Sequence, residues 1–115
     1  MSLTLHGIRN CDTVKKARAF LDTRGVEHRF RDFKTDAPGE AELRRWCAAA
    51  GWETLLNRAG TTFRKLPEAE RADMTEAKAV ALMLAHPSLI KRPVAETGET
   101  ILVGFKPDAY ASAFG

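Results

Sequence analysis

Cys11 is the residue of this sequence that is best placed to do chemistry. It follows a short apolar strand pattern (Leu3, Leu5 and Ile8) and a tight loop at residues 7–10, and an amphipathic helix pattern begins directly after it. Unpaired N–H groups and the positive end of the dipole at a helix N-terminus favour an anion. The position therefore predicts a thiol that ionises readily to the thiolate, the form that attacks disulfides and oxyanions.

The helix end alone does not supply enough energy to activate this thiol. The thiol of free cysteine has a pKa of about 8.5, and lowering it to about 7 takes roughly 2 kcal/mol. An exposed helix terminus supplies only about 0.3–1 kcal/mol, so a nearby cation has to supply the rest. The candidates are Arg9, Arg58, Arg64 and Arg92. The alternative interpretation is that Cys11 is only a small residue at the start of a helix.

A second informative segment covers residues 86–94, where a proline opens a strand pattern. Pro93 has no N–H group to donate to a neighbouring strand, so a proline here is expected to be present for the backbone conformation that it imposes. One interpretation is a proline on an edge strand. The other is a cis peptide bond between Arg92 and Pro93 that holds the arginine beside the thiol loop. Because only about 5–6% of X-Pro bonds in folded proteins are cis, the pattern alone leaves both open.

The other cysteine and the histidines do not suggest a second site. Cys47 falls on the apolar stripe of a predicted helix, which favours packing in the core over redox chemistry. Val14 stands where a Cys-x-x-Cys motif would have its second cysteine, so a disulfide on Cys11 has to be resolved by glutathione, a partner protein or Cys47. A monothiol mechanism is therefore favoured. The histidines are scattered, and no metal site is predicted.

The composition is that of an ordinary globular domain. The 115 residues are 44% hydrophobic and 29% charged, and the net charge of +3 comes from interspersed basic and acidic residues. This charge is too weak to indicate nucleic-acid binding, and the longest apolar-rich stretch, residues 77–85, is far shorter than the ~20 residues that cross a bilayer. With no leader segment, we expect a cytoplasmic monomer with reduced cysteines, no membrane contact and no bound cofactor.

The apolar periodicity predicts the helices. The first begins after Cys11, with Asp12 or Thr13 as its cap, and its predicted apolar face consists of Val14, Ala17, Phe20 and Leu21. The second buries a stripe at i, i+3, i+4 and i+7 that consists of Leu43, Trp46, Cys47 and Ala50. A third begins at Thr75, and its predicted apolar face consists of Ala77, Val80, Ala81, Leu84 and Ala85.

The predicted strands complete an α/β fold. A period-two pattern at residues 26–31 follows the first helix, and a compact hairpin pattern at residues 94–103 precedes a last helix at residues 108–114. A β-α-β start followed by helices, a hairpin and a closing helix is typical of a thioredoxin-like fold with a four-stranded mixed sheet. We therefore predict a single thioredoxin-like domain over residues 1–115, with an inserted helical subdomain at approximately residues 39–86.

Several sequence blocks occur here in the order in which they occur in one protein family. They are Gly-Ile-Arg-Asn-Cys-Asp-Thr-Val-Lys-Lys-Ala at residues 7–17, Gly-Trp-Glu-Thr-Leu-Leu-Asn at residues 51–57, Gly-Thr-Thr at residues 60–62, the run at residues 86–93 and Gly-Phe at residues 104–105. Together they resemble the YffB branch of the arsenate reductase/Spx family. The resemblance implies a thioredoxin-like fold, a nucleophile at Cys11 and an arginine–cis-proline element at Arg92 and Pro93.

The resemblance also implies an activity and a set of site residues. The expected protein is a glutathione-dependent monothiol reductase, in which Cys11 forms a mixed disulfide with a small disulfide or oxyanion substrate and glutathione, as co-substrate, resolves it. The expected catalytic residues are Cys11 and Arg92, and the expected substrate- or glutathione-binding residues are Asn10, Asp12, Thr13, Arg58, Pro93, Val94 and Lys106. Arg92, with Arg58 or Lys106, would lower the pKa of the thiol, and Pro93 and Val94 would offer backbone hydrogen bonds to glutathione.

Two other functions within the same family remain open. The first is reduction of arsenate or a related oxyanion, although Val14 replaces the serine that the arsenate reductases carry three residues after their cysteine. The second is a non-catalytic regulator of the Spx kind that binds RNA polymerase. Gly51 matches the glycine with which Spx contacts the polymerase, but a glycine that ends a helix explains this residue equally well.

Overall fold

A computed structural model describes residues 2–115 of the chain, which divides into two compact units. The first unit combines the segment up to Asp36 with the segment Arg92–Gly115, and the second unit is Ala37–Lys91. The strands and helices, in chain order, are β1 (Thr4–Gly7), α1 (Asp12–Thr23), β2 (Arg29–Asp32), α2 (Glu40–Ala50), α3 (Trp52–Leu55), α4 (Thr61–Arg64), α5 (Glu68–Arg71), α6 (Glu76–Ala85), a 3-10 helix (Pro87–Leu89), β3 (Val94–Glu96), β4 (Ile101–Val103) and α7 (Pro107–Phe114). None of the helices in this described part is long and apolar enough to span a membrane.

The first unit is built on a four-stranded mixed sheet with the strand order β2-β1-β3-β4. The β1 strand pairs in parallel with β2 and antiparallel with β3, and β3 pairs antiparallel with β4. The mixed sheet and the hairpin predicted from the sequence are thereby confirmed. Because β1 and β3 run in opposite directions, the end of β1 and the start of β3 lie at the same edge of the sheet.

One face of this sheet carries the core of the first unit. The buried cluster consists of Leu3, Leu5, Ala17, Leu21, Ala95, Tyr110 and Phe114. Alternate residues of a strand point to one face, so Leu3 and Leu5 both meet this cluster. The hydroxyl of Tyr110 donates a hydrogen bond to the carbonyl of Gly104 at 2.8 Å, which fixes the loop between β4 and α7. Burial of each large apolar side chain contributes about 1.5–3 kcal/mol.

Helix α1 buries the side of the amphipathic pattern that faces this core. Val14, Ala17 and Leu21 are fully buried, as predicted, and Phe20 is half-buried. The prediction that Asp12 or Thr13 caps the helix is wrong, because Asp12 is already helical and the N-cap residue is Cys11, with φ −137° and ψ 123°. Only φ and ψ of residue 11 decide where the helix begins, and the side-chain pattern does not encode them.

The opposite side of the sheet carries a polar network around a buried histidine, His6 of β1, which is 5% exposed. Its Nδ1 atom lies 3.1 Å from Nη1 of Arg31 in β2, and its Nε2 atom lies 3.0 Å from Oε1 of Glu96 in β3. A guanidinium group only donates hydrogen bonds, so Nδ1 is the acceptor and Nε2 donates to Glu96. The network links three adjacent strands and ends one residue before Gly7, where β1 leads into the thiol loop.

The second unit consists of helices, and the predicted stripe of α2 is confirmed at three of its four residues. Leu43, Trp46 and Cys47 are buried, and Ala50 is half-buried. Helix α6 begins where it is predicted to, with the Thr75 hydroxyl accepting from the N–H of Lys78 at 3.2 Å. The short helices α4 and α5 were not predicted, because four-residue helices carry almost no periodicity.

The predicted apolar face of α6 is wrong except at Val80. The buried residues of this helix are Ala79, Val80, Leu82 and Met83, while Ala77, Ala81, Leu84 and Ala85 are exposed. The sequence of α6 is apolar on nearly every side, so its periodicity does not select a face. The long side chains of Leu82 and Met83 bury more apolar area than alanines do, and packing therefore turns these two residues inward.

Candidate active site

Cys11 lies at the edge of the sheet where β1 ends and β3 begins, as the N-cap residue of α1. Its side chain is half-buried, and the cysteine is a free thiol. The thiol makes no hydrogen bond of cap geometry, but the N–H groups of Val14 and Thr13 lie close enough to stabilise a negative sulfur. The thiol therefore occupies the anion-favouring position that the sequence predicts.

The surroundings of Cys11 favour the thiolate. Burial of the thiol opposes ionisation, but the N–H group of Val14, the hydrogen bond and positive charge of Arg92 and the N–H group of Thr13 together outweigh it. The pKa of Cys11 consequently lies below its ordinary value. Two kinds of group act together here: the end of α1 supplies N–H donors, and Arg92 supplies the formal charge that the helix lacks.

Arg92 stands two residues before the start of β3, and the peptide bond between Arg92 and Pro93 is cis. Of the two interpretations that the sequence pattern allows for this proline, the cis bond is confirmed. The Nε atom of Arg92 is buried, and Cβ of Arg92 lies close to Gly7 at the end of β1. The arginine is thus held at the same edge of the sheet as the thiol.

Gly7 is a positioning residue that the sequence analysis did not single out. A Cβ atom built on Gly7 would lie 2.9 Å from Cγ2 of Val14 and 3.9 Å from Cβ of Arg92. The first of these distances is too short for a real contact, so only glycine lets the end of β1 approach the first turn of α1 this closely. The available signal was a glycine between an apolar strand and the thiol loop, which indicates close approach of a backbone.

Arg9, Arg58 and Arg64, the other three candidate cations, have different surroundings. Arg9 is exposed and pairs with Asp32 at 3.5 Å, so it is directed towards β2. Arg58 and Arg64 are exposed residues of the second unit, where the guanidinium of Arg58 lies 5.5 Å from the ring centre of Trp52. The cation that acts on the pKa of Cys11 is Arg92.

Pro93 and Val94 lie inside the sheet. Both are buried, the carbonyl of Pro93 accepts a hydrogen bond from the N–H of Gly104 at 2.8 Å, and Val94 pairs with residues of both β1 and β4. The hydrogen bonds to glutathione that the resemblance implies for these two residues stay a prediction.

The remaining predicted binding residues of the first unit are Asn10, Asp12, Thr13 and Lys106. Thr13 contributes its backbone N–H to the thiolate. Asn10 and Asp12 flank Cys11 and are exposed, so they are accessible to a bound ligand. Lys106 is the exposed N-cap residue of α7, and its carbonyl accepts from the N–H of Tyr110 at 3.0 Å.

Cys47 provides an internal comparison for Cys11. It is 3% exposed on α2, and burial, followed by the negative charge of Glu76, raises the pKa of its thiol above the ordinary value. A buried and protonated thiol reacts slowly. The two cysteines of this chain therefore differ in exposure and in the direction of the pKa shift, and both differences single out Cys11 as the nucleophile.

A mixed four-stranded sheet with a cysteine at the first helix and an arginine–cis-proline step beside it defines a thioredoxin-like α/β protein. The sequence profile of the ArsC family matches residues 6–113, and the chain belongs to the ArsC family. An uncharacterised protein of Haemophilus influenzae is 35% identical over 112 residues, which are 97% of this chain and 98% of that protein. The regulatory protein MgsR of Bacillus subtilis is 22% identical over 107 residues, which are 91% of this chain and 84% of MgsR.

Solved structures of related proteins agree in fold. The structure of a protein named YFFB is 60% identical and superposes with a TM-score of 0.96 over 98% of this chain and 99% of that one. An arsenate reductase (ArsC) related protein from Brucella melitensis is 50% identical, with a TM-score of 0.79 over 98% of this chain and 94% of that one. These similarities extend over nearly the whole chain and therefore include both segments that form the site.

Proposed function

We propose that this protein is a glutathione-dependent thiol–disulfide reductase with Cys11 as its nucleophile. The observation that carries the proposal is the half-buried Cys11 thiol at the N-cap of α1, with its pKa lowered by two backbone N–H groups and by Arg92. A thiolate is the attacking species in thiol–disulfide exchange, so lowering the pKa of this thiol raises the fraction of Cys11 that is in the reactive form.

The proposed cycle needs one protein thiol and two molecules of glutathione. The Cys11 thiolate attacks one sulfur of a substrate disulfide, forming a mixed disulfide and releasing the other sulfur as a thiolate that takes up a proton. A glutathione thiolate then attacks Sγ of Cys11 and releases the second substrate thiol. A second glutathione thiolate attacks the glutathione sulfur, which regenerates the Cys11 thiolate and forms oxidised glutathione. Two electrons pass from the glutathione pair to the substrate.

The N–H groups at the start of α1, Arg92 and Lys106 each have a different role in this cycle. The N–H groups at the start of α1 stabilise Cys11 both as the attacking thiolate and as the leaving thiolate of the last step. Arg92 adds a positive charge beside the sulfur, which also attracts the carboxylates of glutathione. The exposed ammonium group of Lys106 is a further candidate for binding a glutathione carboxylate. We place the activity in the cytoplasm, where reduced glutathione is available.

The proposal is tested by turnover. Wild-type protein, glutathione and a small disulfide such as hydroxyethyl disulfide are coupled to NADPH oxidation through glutathione reductase. Cys11→Ser is expected to reduce the rate to the background, and Cys47→Ser is expected to retain the wild-type rate because Cys47 is buried in α2. Equal rates for wild type and Cys11→Ser would overturn the proposal.

The role of Arg92 is tested by the pH dependence of Cys11 alkylation in a Cys47→Ser background. We expect a midpoint below the value of about 8.5 for free cysteine, a higher midpoint in Arg92→Ala and an intermediate one in Arg92→Lys, which keeps the charge but loses the planar donor pair. A midpoint that is the same in all three proteins would remove Arg92 from the mechanism.

Oxyanion reduction is a second candidate, which the same geometry favours. Backbone N–H groups and a guanidinium around a thiol can hold an oxyanion next to the attacking sulfur, and the Brucella melitensis relative is described as related to arsenate reductase. Arsenate-dependent NADPH oxidation, coupled through glutathione, glutaredoxin and glutathione reductase, distinguishes the two. A rate above the arsenate-free control that Cys11→Ser abolishes would establish this activity.

A further inference from the structure

An apolar groove runs along α1 on the side that faces the loop after β4. The residues that line it are Lys16, Ala19, Phe20, Thr23 and Arg24 on the α1 side and Phe105 and Pro107 on the other side. The groove has a volume of about 490 Å³. We call it the α1 groove.

The floor and rim of the α1 groove differ in character. The rings of Phe20 and Phe105 meet edge to face at 5.5 Å and form an apolar floor. Lys16 at one end and Arg24 at the other are the charged residues among those that line it. Arg24 is held in place, because its guanidinium lies 5.2 Å from the ring centre of Phe20 and donates to the carbonyl of Gly115 at 3.1 Å. The groove therefore offers an apolar floor between two positive charges.

The α1 groove lies along the helix whose N-cap residue is Cys11. Lys16 is five residues after Cys11 and Thr23 is twelve residues after it, which corresponds to about 7.5 and 18 Å along the axis of α1. An extended peptide advances about 3.3 Å per residue. A peptide joined to Cys11 through a disulfide and extended along α1 would therefore bring the residues about two to five positions from its own cysteine to the level of the groove along the helix axis.

From these observations we propose that the α1 groove binds the polypeptide of a protein disulfide substrate while that substrate is joined to Cys11. The recognised segment is extended, has a large apolar side chain two to five residues from its cysteine and carries acidic residues next to that side chain. The apolar side chain lies on Phe20 and Phe105, and the carboxylates meet Lys16 and Arg24. The inference rests on the proposed reductase function and adds the class of substrate.

The test uses short peptides whose cysteine is activated as a mixed disulfide with thionitrobenzoate. The Cys11 thiolate attacks the peptide sulfur, the original sulfur–sulfur bond breaks, and coloured thionitrobenzoate leaves as the Cys11–peptide disulfide forms. One peptide has a leucine three residues from its cysteine and two aspartates beside the leucine. The second has lysines in place of the aspartates, the third has glycine in place of the leucine, and each is made in both chain directions.

With wild-type protein at low salt, we expect the acidic leucine peptide to react about threefold to tenfold faster than the lysine peptide, and also faster than the glycine peptide. In Lys16→Glu the preference for aspartate over lysine is expected to fall below twofold. Lys15→Glu is the matched control, because it makes the same charge change on an exposed neighbour that does not line the groove, and it is expected to keep the preference.

The apolar part is tested separately by filling the groove. Ala19→Trp is expected to abolish the preference for leucine over glycine, while Ala48→Trp, at an exposed position of α2, is expected to leave it unchanged. Equal rates for all peptides, with normal reduction of hydroxyethyl disulfide, would overturn the groove proposal and leave the reductase function standing. Equal losses in Lys15→Glu and Lys16→Glu would overturn it as well. Failure on both hydroxyethyl disulfide and the peptides would overturn the two proposals together.

Discussion

Replacing Gly7 by alanine tests whether close packing of β1 against α1 positions the site. The new Cβ atom would lie 2.9 Å from Cγ2 of Val14, whereas carbon atoms pack best at about 3.5–4.0 Å. The two groups must therefore separate by roughly 0.6 Å or more. Val14 is β-branched and helical, so it has one favoured rotamer and does not turn its methyl group away. The first turn of α1 has to move instead, and overpacking of this kind costs about 1–3 kcal/mol.

The free energy of unfolding, measured by urea titration, gives this cost directly. Gly98→Ala is the matched control, because a Cβ atom on this turn glycine has no neighbour within 4 Å; its effect should stay within about 0.5 kcal/mol. Val14→Ala removes the methyl group that clashes and by itself costs about 2 kcal/mol. In that background, Gly7→Ala should cost well under 1 kcal/mol, since the two residues are coupled through this single contact.

The same variants report on the thiol. Moving the first turn of α1 moves the N–H of Val14 and the side chain of Arg92 relative to the sulfur, so the alkylation midpoint of Cys11 should rise in Gly7→Ala and stay unchanged in Gly98→Ala. The reasoning is refuted if Gly7→Ala costs the same with Val14 and with alanine at position 14. A destabilised Gly7→Ala protein with an unshifted midpoint would limit Gly7 to a role in packing.

Three further predictions concern the two cysteines and a helix cap. The thiol of Cys47 should react with alkylating agents only at the rate of local unfolding, so urea below the unfolding midpoint should accelerate it much more than it accelerates Cys11. The pKa of Cys11 is lower in the folded state, so its ionisation stabilises the fold above the unfolded pKa of about 8.5, and this contribution is lost as the pH falls through the folded pKa. The free energy of unfolding of Cys11→Ser should therefore fall relative to that of wild type as the pH rises from the folded to the unfolded pKa. A difference between the two proteins that does not vary with pH would contradict the shift. Thr75→Ala should reduce the free energy of unfolding by about 1 kcal/mol, because it removes the acceptor for the N–H of Lys78; a loss of a few tenths would mean that water replaces the cap.

The fold could be predicted where the apolar pattern has a single period and a clear polar side. The α1 and α2 stripes and the hairpin of β3 and β4 are of this kind, and the structure has them as predicted. Helix α6 has apolar residues around its whole circumference, and there the choice of face depends on which side chains fill the space between neighbouring helices. That information lies in the packing of the second unit and has no counterpart in the local sequence.

The candidate site could be predicted only in part. The position of Cys11 between a strand and a helix is a local pattern, and it identified the nucleophile without the structure. The cation is a non-local property, because the pairing of β1 with β3 brings Arg92 to the thiol. Gly7 was missed for the same reason: the methyl group that it avoids belongs to a residue whose position only the folded chain defines.

During synthesis of the chain, Cys11 and α1 are made well before Arg92, because the whole second unit lies between them. Until β3 has been synthesised and has paired with β1, only the end of α1 is available to favour the thiolate, and the contribution of Arg92 is missing. A nascent chain therefore meets oxidants and disulfides with a thiol that is less activated than in the folded protein. The length of the helical unit thus sets the interval, during translation, between synthesis of the nucleophile and synthesis of the group that activates it.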